Sequence, residues 1–227
     1  MENRTINMAV VAEVAQALCE LKSQMIFIGG AVVSLYADDR AADEIRPTAD
    51  IDLTINLLNF KDWTRMQQRL AELRFFPDPY GHAICSYKYK NIPVDIMPAE
   101  DGPLGPANKW YKMGFDNLYT TKAMDVEIQV LPAPVYLATK FEAFKSRGLD
   151  YRTSHDFEDI MYILDNRISL GSEIKQANPD IRAFLKLEFN KIMQSTYLEE
   201  ILSAHIHPMV FDERFPVVLG KIKEIIS

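Results

Sequence analysis

The chain has 227 residues, 48% apolar and 25% charged, with two cysteines and a formal net charge of −7. This length buries enough surface for one good-sized domain or two small ones without crosslinks, and the composition excludes disordered, collagen-like and membrane-embedded classes. The acidic balance excludes a general positive field for gathering phosphate backbones, so any nucleic-acid partner would need local patches.

Cys19 and Cys85 each lie in an apolar context and are too few for a disulfide framework. Both are expected as core thiols in a reducing compartment. The start, MENRTINMAV, carries an acid at Glu2 and no signal-like apolar core. No apolar run approaches the roughly 18 residues that a membrane span needs, so a cytoplasmic location without a membrane partner is expected.

In chain order, Val11, Val14, Ala15, Leu18 and Leu21 repeat with helical spacing over 8–21, and Met25 to Ile28 then reads as a strand. Gly29-Gly30 follows at a strand-to-helix turn, and Val32, Val33, Leu35 and Tyr36 open a second helix. The charged stretch from Ala37 to Ala49, with Pro47, reads as a surface loop. From Asp50 to Ile55 the chain alternates, with Asp50, Asp52 and Thr54 on one face and Ile51, Leu53 and Ile55 on the other, as in a half-buried strand.

Phe60 to Leu73 is helical, and Ala83 to Tyr89 and Ile92 to Met97 read as strands joined near Lys90-Asn91, the second turning Asp95 away from Ile92, Val94 and Ile96. After a Gly/Pro-rich loop, Asp101 to Pro106, a further strand covers Val126, Ile128 and Val130. Beyond Pro134 the pattern is helical almost to the end, with Asn178-Pro179 as an N-terminal cap signal. The expected fold class is α/β (α+β): a small mixed sheet flanked by helices over 1–132, then a helical domain over 133–227.

Two carboxylates at i and i+2 of a strand project the same way, about 6.6 Å apart at Cα, near enough to bind one cation or bracket two. Oxygen ligands of this kind favour Mg²⁺ or Mn²⁺ over zinc. An isolated D-x-D is usually a solvated face. Here the upstream Gly-Gly turn offers backbone N–H groups for phosphates, and Asp95 offers a third carboxylate on an adjacent strand, with a strand-end surface acid as its plain alternative. A triphosphate cradle, metal-binding carboxylates and a third acid near an attacking hydroxyl are what nucleotidyl transfer needs.

Gly29-Gly30-Ala31, the run Arg46-Pro47-Thr48-Ala49-Asp50-Ile51-Asp52-Leu53 and Asp95 resemble the GG … D-x-D … D signature of the DNA polymerase β-like nucleotidyltransferase superfamily. The R-x-T-x-D-I-D form is similar to that of the AbiEii-type toxins of type IV toxin–antitoxin systems and related bacterial nucleotidyltransferases. Leu137 to Ala143, then Arg147-Gly148 and Ser154 to Asp159, are similar to the lysine helix and S-x-D-x-x-D helix of that group. The resemblance thus spans roughly Met25 to Leu164.

The resemblance implies a nucleotidyltransferase domain in which Asp50 and Asp52 hold the metals and Asp95 completes the metal site or helps deprotonate the acceptor. Gly29 and Gly30 would contact the NTP triphosphate. Lys140 would face the phosphates, with Asp156 or Asp159 orienting it or closing the site. Lys140 could equally be a snorkelling surface lysine, and Asp156 and Asp159 could serve only the dipole of a helix capped by Ser154. Arg46, Thr48 and Ser34 are further phosphate candidates; a solvated loop arginine and a backbone-bonded serine are the alternatives. The acceptor would be a tRNA 3′ end or a protein hydroxyl, with a cognate antitoxin. The short chain after Asp159 and the acidic balance suit a small hydroxyl compound instead, as in aminoglycoside nucleotidyltransferases, and a non-catalytic nucleotide-binding module is the reading from another class.

His205 and His207 lack partners at zinc-ligand spacing, and His82 and His155 are isolated. Lys109-Trp110-Tyr111-Lys112 reads as a base-stacking patch or as a cover for the domain junction.

Overall fold

The computed structural model describes residues 6–39, 42, 46–57, 60–81, 85–102, 107–148 and 150–227. His82, the start of the strand expected from Ala83, and part of the loops expected over 37–49 and 101–106 lie outside the described residues. The chain divides into two compact units, Met1–Leu35 with Ile45–Pro132, and Tyr36–Glu44 with Ala133–Ser227.

In the first unit, helix α1 (Met8–Ala17) begins where the Asn7 side chain accepts hydrogen bonds from the Ala9 and Val10 amides. It buries Val10, Val11, Val14 and Ala15. The helix stops short of Leu21. Cys19 takes a left-handed φ of 49°, and the chain continues as a 3₁₀-helix, Cys19–Gln24. That reversal carries Cys19 off the apolar stripe, so it is exposed, contrary to the expectation of a core thiol, whereas Cys85 is buried.

Among the described residues, seven strands form one mixed sheet: β1 (Met25–Ile28), β2 (Ile51–Ile55), β3 (Phe75–Pro77), β4 (Ser86–Tyr89), β5 (Ile92–Pro98), β6 (Tyr119–Ala123) and β7 (Val126–Val130). Their order is β3-β4-β5-β2-β1-β7-β6. The β2–β5 and β1–β7 pairs are parallel and the other pairs antiparallel. The core strands earn their places by apolar burial: Met25 to Ile28, Ile51, Leu53, Val94 and Ile96 are almost wholly covered. Between β2 and β3, helix α2 (Phe60–Glu72) buries Trp63, Met66 and Leu70 at i, i+3 and i+7.

Two strands carry no alternation that marks them in the sequence. β3 is three residues long and ends in proline, and β6 is exposed along most of its length, joined to β7 by a turn in which Met124, not a glycine, adopts φ 52°. Both are edge strands, where pairing needs little apolar surface. The expected alternation of β2 also stops at Asp52, because Thr54 is fully buried. The far end of this central strand is therefore covered on both faces.

A short helix α3 (Tyr111–Gly114) follows the buried Trp110, whose ring carries the Lys109 ammonium at 5.1 Å from its centroid.

The second unit contains α4 (Ala133–Arg147), α5 (His155–Asn166), α6 (Leu170–Gln176), α7 (Pro179–Met193), α8 (Leu198–Ser203) and α9 (Phe211–Ile226). Ser154 caps α5 through the Phe157 amide at 3.3 Å, and Asn178 caps α7 ahead of Pro179, as the sequence predicts. Aromatic edges knit its core. Phe141 meets Phe189 edge-on at 5.1 Å, and Phe144 stacks on Tyr151 at 4.5 Å. The excursion that begins at Tyr36 belongs to this unit: Tyr36 packs on Tyr136, Asp38 accepts from the Ile168 amide at 2.6 Å, and Asp39 pairs with Arg214 at 3.0 Å. Among the described residues, no helix is long and apolar enough to cross a membrane.

Candidate metal centre

The centre of the sheet supplies three carboxylates. Asp50 immediately precedes β2, Asp52 is its second residue, and the parallel register sets Asp52 directly beside Asp95 of β5. Each offers an oxygen, and these oxygens lie within 4.8 Å of one another at half-buried positions. Mg²⁺ about 2.0–2.1 Å from its oxygen ligands keeps them at most about 4.2 Å apart, so this all-oxygen set would close on a single Mg²⁺ or Mn²⁺ by small side-chain rotations, or share a pair. Three carboxylates this close repel one another, and half-burial strengthens the repulsion that a bound cation would relieve.

The Gly-Gly turn is built against these acids. Gly29 has φ +72°, and a Cβ placed on it would fall 1.9 Å from Asp52 Oδ2 and 2.9 Å from Asp52 Cβ. No side chain fits there, and the left-handed backbone favours glycine in any case. A Cβ on Gly30 would lie 3.3 Å from Arg46 Nη2 and 3.6 Å from Thr48 Oγ1. The Thr48 hydroxyl donates to Asp50 Oδ1 at 3.3 Å, and an isolated bridge pairs Thr48 with Ile6. One small region thus gathers Asp50, Asp52, Asp95, Gly29, Gly30, Arg46 and Thr48, with a guanidinium and glycine backbone beside the acids.

Ser34 is half-buried further along the 3₁₀-helix Gly30–Tyr36, a tighter element than the α-helix its spacing suggests.

Lys140, Asp156 and Asp159 come together in the helical unit. Lys140 Nζ lies 2.6 Å from Asp159 Oδ2 and 3.3 Å from Asp156 Oδ1, and all three residues are at most 7% exposed. The snorkelling surface lysine is therefore overturned: Lys140 is buried on two carboxylates, with its ammonium 5.7 Å from the centroid of the Tyr136 ring. Arg147 adds a second cation on Asp156. These acids do more than face the α5 dipole, because a buried carboxylate needs a paired charge.

Two neighbours of the acid cluster are silent in the sequence. Cys85 is buried, and its thiol is pushed up in pKa by burial and by the negative charge of Asp95. Ser86 stands opposite Asp95 across the β4–β5 pair. Only the strand pairing reveals either. His155 pairs with Glu158 on the surface, and one ring nitrogen of His205 meets the Tyr151 carbonyl at 2.7 Å.

No family model matches this chain, and no curated protein does. Among solved structures, it is similar to an antigenic nucleotidyltransferase-like protein from Paracoccidioides brasiliensis, with 18% identity over 91% of this chain and 96% of that one, at a TM-score of 0.50. At that identity the likeness speaks to architecture. The mixed sheet flanked by helices and followed by further helices is a nucleotidyltransferase-like fold.

Proposed function

We propose that the chain is a metal-dependent nucleotidyltransferase that moves an NMP group from an NTP to a hydroxyl acceptor. The observation that carries this reading is the meeting of Asp50, Asp52 and Asp95 within 4.8 Å, beside a Gly-Gly turn whose Gly29 leaves no space for a side chain. Asp50 and Asp52 would hold Mg²⁺ or Mn²⁺, and Asp95 would complete the set or take the acceptor proton. Bound there, the cation would neutralise charge on the α-phosphate and on the leaving pyrophosphate. Gly29 and Gly30 would offer backbone N–H groups to the triphosphate, and Arg46 would add a cation, with Thr48 orienting Asp50. The catalytic domain in this reading is 1–132.

The acidic net charge of −7 supports a small hydroxyl compound as acceptor over a long RNA. A toxin-like transfer to a tRNA 3′ end or a protein, with a cognate antitoxin, is the second reading. What favours it is the meeting of Lys140 with Asp156 and Asp159, the residues of the S-x-D-x-x-D likeness.

The test is incubation of the full chain with each α-³²P-labelled NTP, Mg²⁺ or Mn²⁺, total RNA and a lysate extract. Label is expected on one acceptor class, dependent on the cation and lost in the Asp50→Asn/Asp52→Asn variant. Transfer that survives this double substitution refutes the site, and NTP binding without transfer to any acceptor favours the binding-module alternative.

A further inference from the structure

A neighbour of the acid cluster plays no part in the reading above, and the sheet register brings it to the same face. Ser86 opens β4 and pairs directly with Asp95 of β5, which in turn pairs with Asp52 of β2. Residues directly opposite one another share a face of the sheet, so one row across three strands reads Asp52, Asp95, Ser86.

The hydrogen-bond pattern sharpens the geometry. The Ile96 amide donates to the Cys85 carbonyl at 3.0 Å, which makes the neighbouring pair, Cys85 and Ile96, the hydrogen-bonded one. The Ser86 carbonyl points the other way and accepts from the Asp78 amide at 2.9 Å. Ser86 and Asp95 are therefore a non-hydrogen-bonded pair, the closer kind, with Cα atoms about 4.5 Å apart. At that spacing a serine hydroxyl is within hydrogen-bond range of a carboxylate opposite.

Burial gives the hydroxyl a reason to be there. Ser86 is 6% exposed, and a Cβ on Gly81 would fall 2.5 Å from its Oγ, so the turn around Gly81 closes over it. A hydroxyl shut from water pays a desolvation cost that a carboxylate partner offsets.

We infer that Ser86 is a positioning residue: its hydroxyl donates to Asp95 and holds that carboxylate in the orientation that meets Asp50 and Asp52 around a divalent cation. The inference rests on the metal-centre reading and extends it to the group behind one ligand. Outer groups of this kind, when removed, typically lower metal affinity 10- to 100-fold.

The experiment is a Mn²⁺ titration of the full chain, with free Mn²⁺ read by electron paramagnetic resonance and folding checked by thermal melting. Ser86→Ala is expected to weaken Mn²⁺ binding about 10-fold. Ser86→Cys, which fills the same space with a weak donor, is expected to move it the same way and covers the case in which the alanine variant does not fold. In an Asp95→Asn background, Ser86→Ala is expected to add little, because its route to the cation is gone. Parent-like Mn²⁺ affinity in a folded Ser86 variant, even with a lowered melting temperature, overturns the inference, as does a full additive loss in the double variant. A parent chain that binds no Mn²⁺ overturns the metal-centre reading itself, an outcome distinct from a failure of Ser86 alone.

Discussion

Gly29→Ala is the most demanding probe of the site, because its effects on fold and on metal binding separate. The new Cβ would sit 1.9 Å from Asp52 Oδ2, 2.7 Å from its Cγ and 2.9 Å from its Cβ. Ordinary van der Waals contact begins near 3.4 Å, so the carboxylate oxygen must retreat by 3.4 − 1.9 = 1.5 Å. Rotation about χ1 of Asp52 moves Cγ and the oxygens but leaves Cβ in place, so the backbone of one strand must also yield by a few tenths of an ångström. The left-handed φ of +72° adds about 1 kcal/mol of strain for alanine. Together the fold should lose about 1–3 kcal/mol, within reach of a marginally stable domain. Mn²⁺ affinity should fall about 10- to 100-fold, because Gly29 fixes where Asp52 stands relative to the other two carboxylates. Urea denaturation and a Mn²⁺ titration of the same variant measure the two effects. Gly30→Ala is the matched control: its Cβ meets the far end of the Arg46 side chain at 3.3 Å, which can swing aside. Parent-like Mn²⁺ affinity in Gly29→Ala, or equal losses in the two variants, would refute the reasoning.

Lys140→Met leaves Asp159 buried without its 2.6 Å ion pair and should cost about 3–5 kcal/mol in urea denaturation, with part recovered by adding Asp159→Asn. Phe189→Ala removes a fully buried ring edge-packed on Phe141 and should cost about 3–5 kcal/mol by the same assay. Burial holds the His205 imidazole below its ordinary pKa of 6.5 in the folded chain. The unfolded chain therefore binds the extra proton first, and the stability His205 contributes is full above pH 6.5 and is lost as pH falls through the lower folded value. The melting temperature of the parent should accordingly drop between pH 7 and 5 by more than that of His205→Gln, and equal drops would refute the assignment. Ser154→Ala removes the hydroxyl that accepts from the Phe157 amide and should cost about 1 kcal/mol, read as a lower midpoint in urea.

Local order carried most of what was legible in the sequence. The apolar run Met25 to Ile28, the Gly-Gly turn, the alternation through Asp50 and Asp52, the helix over 60–72 and the caps at Ser154 and Asn178 depend on residues a few positions apart, and their periodicities express that directly. The face shared by Asp50 and Asp52 follows from the strand period alone. The two edge strands β3 and β6 left no such mark, since edge pairing draws on main-chain hydrogen bonds more than on an apolar pattern.

Pairing and burial were decided only in three dimensions. The parallel alignment of β2 with β5 brings Asp95 beside Asp52, and the antiparallel alignment of β4 brings up Ser86; neither spacing exists in the sequence, because register is a relation between segments. Lys140 likewise stands 16 and 19 positions from Asp156 and Asp159, and only the packing of α5 on α4 turns three separated charges into a buried cluster. Cys19 misled for the same reason: its apolar neighbours promise a core position, but one left-handed residue at the end of α1 turns it to water. Sequence determines which residue types recur at short range, and tertiary structure decides which of them meet, because the low-dielectric interior makes each buried charge find its partner wherever in the chain it lies.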